Sequence, residues 1–146
     1  MRKTRKSQRG ITLIEMLVVV VIIGLFVSMV GLNMFNQADK AKVTKAKADI
    51  ATFMNALGLY KLEVGTYPST EQGLQALRVK PEGAAQWGGP YIQKDVPLDP
   101  WGHPYLYKYP GDHGEDPDIL SLGADGQPGG EDKNADIVSW SSKKGF

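Results

Sequence analysis

A long apolar stretch stands near the start of the chain. In residues 11–32 the only polar side chains are Thr12, Glu15 and Ser28. A helix of about 22 residues is roughly 33 Å long, which is enough to cross the hydrocarbon core of a bilayer. We therefore predict a transmembrane helix segment at 11–34. An ordinary secretory signal would instead have a shorter apolar region of about 7–15 residues before its cleavage site.

A periodic pattern follows the apolar stretch. Apolar residues recur every three or four positions, at Val43, Ala46, Ile50, Phe53, Leu57, Tyr60 and Val64. This spacing forms one apolar stripe along a helix, and such stripes usually pack against the core. No proline occurs before Pro68, so we predict that the helix continues to about Leu62. The segment 35–64 is thus predicted to be an amphipathic continuation of the membrane helix.

The pattern changes at Gly65 from helical to turn-rich. All nine prolines and thirteen of the seventeen glycines lie from this residue onward. We predict that 65–146 forms a small globular domain in which turns and loops occupy much of the chain. Residues 69–77 predict a short helix capped by Ser69 or Thr70.

Three short segments of this domain alternate between apolar and polar residues, at 105–109, 118–122 and 136–140. Such alternation indicates antiparallel strands with one buried face. The predicted fold class is therefore α+β. A long N-terminal helix is expected to pack on a small C-terminal antiparallel sheet with long loops.

Charge is distributed unevenly along the 146 residues, although the net charge is only +1. Five basic residues and no acid lie in residues 1–10: Arg2, Lys3, Arg5, Lys6 and Arg9. The rest of the chain has twelve Lys and Arg against sixteen Asp and Glu. Basic residues just before an apolar span keep the N-terminus in the cytoplasm, so we predict a topology signal and no nucleic-acid partner.

The C-terminal part contains a candidate metal loop. Asp132, Asn134 and Asp136 alternate within an acidic, glycine-rich segment at 122–136. All-oxygen ligands of this kind suit Ca²⁺, whereas the absence of cysteine disfavours zinc. The spacing matches only a fragment of a calcium-binding loop. The sequence therefore fits a solvated acidic turn as well as it fits a calcium site.

Catalysis finds no support in the sequence. His103 and His113 are isolated, and no nucleophile motif or glycine-rich nucleotide loop accompanies them. We expect both to be loop or structural residues and the chain not to be an enzyme.

The sequence "RGITLIEMLVVVVIIG" resembles the processing site of type IV pilins and type II secretion pseudopilins. Gly10, Ile11 and Glu15 match that pattern in register, although phenylalanine is usual where Ile11 stands. The blocks "YPSTEQGLQAL", "PLDPWGHPYLYKYPG", "DILSLGADGQPGGE" and "ADIVSW" resemble the major pseudopilin family, general secretion pathway protein G. This resemblance covers nearly the whole chain.

The resemblance implies how the N-terminus is processed. A prepilin peptidase would remove the leader 1–10 by cleavage between Gly10 and Ile11, and would methylate the new amine of Ile11. Glu15 would then pair with the positive N-terminus of a neighbouring subunit. Without the resemblance, a glutamate reaching toward lipid headgroups is the simpler interpretation.

The resemblance also implies a calcium site in the acidic loop. Backbone oxygens would come from Leu122 and Gly130. Side-chain oxygens would come from Asp125, Asp132, Asn134 and Asp136.

The function implied is that of a major pseudopilin, which polymerises into a periplasmic pseudopilus and drives export of folded proteins across the outer membrane. Its partners would be further copies of itself, minor pseudopilins, the prepilin peptidase, an inner-membrane assembly platform and a secretion ATPase. The chain would cross the bacterial inner membrane once, with the C-terminal domain in the periplasm. Two alternatives remain: a type IV pilin of a surface fibre, and a membrane-anchored, calcium-binding periplasmic enzyme.

Overall fold

The computed structural model describes residues 10–140, except for the side chains of residues 30–36. Residues 1–9 of the predicted leader therefore lie outside the description. The chain forms two compact units, which meet in sequence between Ala38 and Asp39.

One long helix, α1, spans Leu13–Val64 and has 52 residues. Thr12 caps its start, because the Thr12 hydroxyl and carbonyl accept bonds from the amides of Glu15 and Met16. At its end Gly65 has φ +93° and donates its amide to the Lys61 carbonyl at 2.8 Å. This left-handed cap satisfies a helix carbonyl that would otherwise lack a partner. The predicted helix end near Leu62 is confirmed to within two residues.

The first unit exposes its apolar side chains. All side chains of residues 11–29 are exposed, and Leu13 reaches 85%. Among the described residues, no helix combines the length and the hydropathy of a membrane span. The predicted span 11–34 includes residues 30–34, whose side chains lie outside the description.

The second unit contains the hydrophobic core. The apolar stripe predicted along the helix lies at the centre of this core, since its central members are all buried: Ala46, Ile50, Phe53, Leu57 and Tyr60. Other core residues come from the loops and the sheet: Leu74, Ala76, Leu77, Ile92, Tyr105, Ile119 and Ile137. Val43 and Val64, at the ends of the stripe, are partly buried against this cluster. The prediction of a core-packing stripe is confirmed.

The sheet consists of β1 (Leu106–Lys108), β2 (Asp118–Ser121) and β3 (Ile137–Val138) in the order β1-β2-β3. Both pairings are antiparallel, with Leu106 opposite Leu120 and Leu120 opposite Val138. The three predicted strands are thus confirmed, and each is shorter than predicted.

The short helix predicted at 69–77 is only partly correct. Its second half is a 3₁₀ helix, Leu74–Leu77, preceded by a turn. Ser69 rather than Thr70 caps that turn, because Ser69 and Gln72 exchange side-chain to backbone hydrogen bonds at 2.9 and 3.3 Å. Thr70 instead bonds the backbone of Tyr109. Gly73, with φ +58°, prevents an α-helix from continuing through this segment.

Candidate functional site

The N-terminal turn of α1 presents the predicted processing site. Gly10 and Ile11 precede the helix and both are exposed, so the peptide bond between them is accessible to a protease. Glu15 lies in the first helical turn, also exposed, where its charge is stabilised by the positive end of the helix dipole. The carboxylate is therefore available to a partner outside this chain.

Thr12 and Glu15 together have the spacing of a capping box. The amide of Glu15 donates to the Thr12 hydroxyl at 3.3 Å, which is one half of that motif. The sequence pattern Thr-x-x-Glu predicts a capping box by itself. This prediction does not depend on any pairing of Glu15 with a neighbouring subunit. Helix capping and the predicted pairing with another subunit are therefore two separate hypotheses for the Glu15 side chain.

Residues 13–29 of α1, which we call the exposed apolar segment, contain one further polar side chain. The Ser28 hydroxyl donates to the Leu25 carbonyl at 2.8 Å, within its own helix. A serine satisfied in this way is tolerated in an apolar environment. Only Glu15 therefore brings an unneutralised charge to this segment.

The acidic loop 122–136 connects β2 to β3 and its two ends lie together. The Ala124 amide donates to the Lys133 carbonyl at 3.0 Å. A Cβ atom on Gly130 would lie 2.5 Å from the Asn134 carbonyl oxygen, so only glycine fits there. This closure brings the segment around Leu122 near the segment around Asn134, which are 12 residues apart in sequence.

Two carboxylates of the loop are oriented by its own backbone. Asp125 Oδ1 accepts the Gln127 amide at 3.1 Å, and Asp136 Oδ2 accepts the Gly129 amide at 2.9 Å. The other oxygen of Asp136 is buried and has no hydrogen-bond partner among the described residues. A buried, unpartnered carboxylate oxygen is costly, and a bound cation would satisfy it. Asp132 has φ +52°, a conformation that Asp adopts more readily than most residues.

Side-chain acids alone do not form a metal cluster here. Within residues 10–140, no three or more His, Cys, Asp or Glu side chains are grouped so that they could share a metal ion. A site in this loop would therefore depend on the Asn134 amide oxygen and on the carbonyls of Leu122 and Gly130. The donor set is all oxygen and the orphaned Asp136 oxygen fits a hard cation. The ligand set stays a prediction.

The two histidines occupy different sites. His113 stacks on Trp140 with ring centroids 3.9 Å apart, and its Nδ1 lies 2.8 Å from Asp118 Oδ2. His103 contacts the acidic loop instead, with Nδ1 3.2 Å from the Gly123 carbonyl oxygen. From the sequence, both histidines were expected to lie outside the acidic loop. The contact between His103 and Gly123 was therefore missed, because the two residues are 20 positions apart in the chain.

Comparison with known proteins identifies the family. The family profile described as type II secretion system (T2SS), protein G matches residues 33–140. The chain belongs to the type II secretion system protein G family. A second profile, the prokaryotic N-terminal methylation motif, matches residues 5–31 and so includes the predicted processing site.

Relatives of the protein G family match along nearly their whole length. Type II secretion system core protein G of Pseudomonas aeruginosa is 49% identical over 139 residues, covering 93% of this chain and 97% of the relative. The protein of the same name from Vibrio cholerae is 48% identical over 143 residues, covering 96% of each chain. The major pseudopilin crystal structure from enterohaemorrhagic Escherichia coli is similar with a TM-score of 0.60 and 38% identity. That match covers 74% of this chain and 94% of the pseudopilin.

The family assignment confirms the resemblance found in the sequence, the α+β pseudopilin fold and the function as a major pseudopilin of type II secretion. Protein G is a structural component of the secretion system, which is not an enzyme family.

Proposed function

We propose that the mature chain begins at a methylated Ile11, crosses the inner membrane once at 11–34 and polymerises into a periplasmic pseudopilus that drives protein export. The observation that carries this proposal is the exposed apolar segment. Its side chains are uncovered along residues 13–29, with Leu13 at 85% and Leu17 at 57% exposed. Burying apolar surface is worth about 25 cal/mol per Å², so such a segment requires lipid or other subunits around it.

Pairing of Glu15 with a neighbouring subunit would fix how the subunits are offset along the filament. A lone charge at the bilayer centre costs roughly 2.5–3.5 kcal/mol on insertion scales, and Glu15, near one end of the proposed span, would bear a smaller part of that penalty. Pairing of the Glu15 carboxylate with the N-terminal amine of a neighbouring copy removes that penalty only in the assembled filament. Assembly would also involve minor pseudopilins, an inner-membrane platform and a secretion ATPase.

Processing is tested by intact-mass and N-terminal analysis of the protein purified from membranes. We expect loss of residues 1–10 and one added methyl group on Ile11, with the apolar segment retained. Cleavage downstream of residue 32 would instead show that the apolar segment is a secretory signal, and would overturn the proposal.

We also propose that the acidic loop binds one Ca²⁺ through Leu122, Asp125, Gly130, Asp132, Asn134 and Asp136. The unpartnered buried oxygen of Asp136 supports this assignment. The ion would offset most of the negative charge of the three carboxylates and give a loop with little apolar content a fixed conformation. In a pseudopilus, a fixed loop presents a constant surface to neighbouring subunits.

Calcium binding is tested by thermal unfolding of the full chain in detergent, with calcium and with chelator. A ligand that binds only the folded state stabilises it by about 2.7 kcal/mol at one hundred times its dissociation constant. We expect chelation to lower the melting temperature and to make the loop sensitive to protease, and Asp136→Ala to abolish the calcium response. Glu115→Ala, which removes an exposed acid outside the loop, is the matched control. Identical melting with calcium and chelator in the wild-type chain would overturn the assignment.

A further inference from the structure

Gly123, at the start of the acidic loop, is held at both of its backbone polar groups. Its carbonyl oxygen lies 3.2 Å from His103 Nδ1. Its amide donates to the Ser121 hydroxyl at 3.4 Å, and that hydroxyl donates to Asp99 Oδ2 at 2.6 Å. Both anchors of Gly123 therefore lead to one short turn, residues 99–103.

Asp99 organises this turn. Only 4% of the residue is exposed, and its Oδ1 accepts the amides of Trp101 at 3.0 Å and His103 at 2.8 Å. The Gly102 amide donates to the Asp99 carbonyl at 3.0 Å. The backbone of His103 is thus fixed by the same carboxylate that holds Ser121. The hydrogen bonds form a closed ring through Asp99, His103, Gly123 and Ser121.

The His103 ring is oriented by a hydrogen bond as well as by packing. A carbonyl oxygen only accepts hydrogen bonds, so Nδ1 must carry the proton that is donated to Gly123. Asp99 Oδ2, 3.9 Å from the same nitrogen, favours the same tautomer. The opposite edge of the ring lies against the backbone of Gly126, where a Cβ atom would be 3.0 Å from Nε2.

Gly123 is the point where the two ends of the loop meet. A Cβ atom there would lie 2.9 Å from the Ala135 carbonyl oxygen, and its φ of +66° suits glycine. Leu122 precedes Gly123 directly, and Asp125 follows two positions later. The Leu122 carbonyl and the Gly123 amide belong to one planar peptide group, which Ser121 holds. The Gly123 carbonyl belongs to the next peptide group, whose Ala124 amide donates to the Lys133 carbonyl. The contact with His103 therefore fixes the peptide group that closes the loop and begins the chain leading to Asp125.

We infer that His103 is a positioning residue for the calcium loop: its Nδ1–H holds the Gly123 carbonyl and thereby fixes the peptide group that closes the loop and leads to Asp125. The inference rests on the proposed calcium site. Groups that orient metal ligands in this way typically contribute about 10- to 100-fold to metal affinity.

Calcium affinity of three variants of the full chain in detergent tests this role. His103→Phe keeps a ring against Gly126 but has no donor, whereas His103→Asn lacks the ring but keeps an N–H at the position of Nδ1. His113→Ala is the matched control, because His113 lies on Trp140 rather than on the loop. Calcium is titrated calorimetrically, and melting without calcium is measured in parallel.

We expect His103→Phe to weaken calcium binding about tenfold while melting without calcium changes little. We expect His103→Asn and His113→Ala to bind within about threefold of the wild-type chain, below the tenfold loss typical of a lost orienting group. Equal affinity of wild type and His103→Phe overturns the positioning role and leaves the calcium site intact. A loss in His103→Asn as large as that in His103→Phe also overturns it, since a retained N–H donor would then fail to preserve calcium binding. Absence of calcium binding in the wild-type chain overturns the site and the inference together.

Discussion

The two ends of α1 are both rich in apolar residues, yet their surroundings differ completely. Leu13 is 85% exposed and Leu57 is 0% exposed. Around Leu57 the apolar residues form a stripe and the protein's own loops and sheet cover it. In residues 13–29 apolar residues occupy every face of the helix, and the part of the first unit that the structure describes leaves them exposed. A stripe therefore indicates packing within the chain, whereas all-round apolarity indicates an environment supplied from outside it.

The largest effect that would sharpen this contrast is expected at Glu15. Glu15→Leu makes the segment more apolar, so membrane insertion should persist, while filament formation should fall at least about tenfold. A pairing worth only about 1.4 kcal/mol per subunit already gives a factor of ten. Filament yield in membranes, measured by cross-linking, and the melting temperature of the chain together separate assembly from folding.

Glu15→Gln separates the two roles of this residue. Glutamine retains the hydrogen-bonding capacity that a capping box requires but carries no charge. Filaments from the Gln variant should be as scarce as those from the Leu variant. Wild-type filament yield in the Gln variant would show that Glu15 acts through helix capping, and would remove the argument for charge pairing.

A second effect, on folding rather than on filament yield, is expected from the covered part of α1. Leu57→Ala removes a fully buried side chain, so the free energy of unfolding should fall by about 2–5 kcal/mol. Leu62→Ala is the control on the same helix, because Leu62 is 82% exposed, and its effect should stay within about 0.5 kcal/mol. Both are measured by urea unfolding in detergent. Similar losses in the two variants would mean that Leu62 is also covered, and the contrast between stripe and exposed surface would fail.

The elements of the fold were predictable because each has a local signal. The 3–4 spacing of Ile50, Phe53 and Leu57 predicted the buried face, and the turn residue Gly65 marked the end of the helix. Strand positions followed from alternation, although strand lengths did not. Antiparallel pairing ends where the partner strand ends, and the register depends on residues distant in sequence. The prediction of a helix at 69–77 was only partly correct because Gly73 adopts a positive φ, which the periodic pattern does not reveal.

The candidate site was predictable only in part. The leader motif around Gly10 and Glu15 is contiguous, so the sequence alone carries it. The acidic loop is contiguous as well, and its composition indicated oxygen ligands. Asp99 and His103, in contrast, reach the loop through contacts spanning 20 or more residues. One sequence without tertiary structure has no signal for such contacts.

The smallest predicted effect concerns Tyr105, which ties the covered part of α1 to the segment before β1. Its ring meets Phe53 edge-on at 5.2 Å, and its hydroxyl donates to Asp49 Oδ2 at 2.9 Å. Burial, followed by the hydrogen bond to Asp49 and that residue's charge, raises the pKa of Tyr105 well above its usual value. The folded state therefore favours the neutral phenol. In the unfolded chain a tyrosine ionises near a pH of about 10.

Stability from this phenol should be fully present below a pH of about 10 and should be lost as the pH rises further, because the unfolded state then releases a proton that the folded state retains. One such proton changes the free energy of unfolding by at most about 1.4 kcal/mol per pH unit. Tyr105→Phe should lower stability by about 1 kcal/mol near neutral pH and make the decline above a pH of about 10 less steep. Some decline should remain, since burial also raises the pKa of Tyr107. Urea unfolding between pH values of about 8 and 11, a range that brackets the usual ionisation of tyrosine, measures both effects. Suppose that the free energy of unfolding falls with pH at the same rate in the wild type and the variant. Tyr105 would then ionise equally in the folded and unfolded states, and Asp49 would not hold the Tyr105 proton in the folded protein.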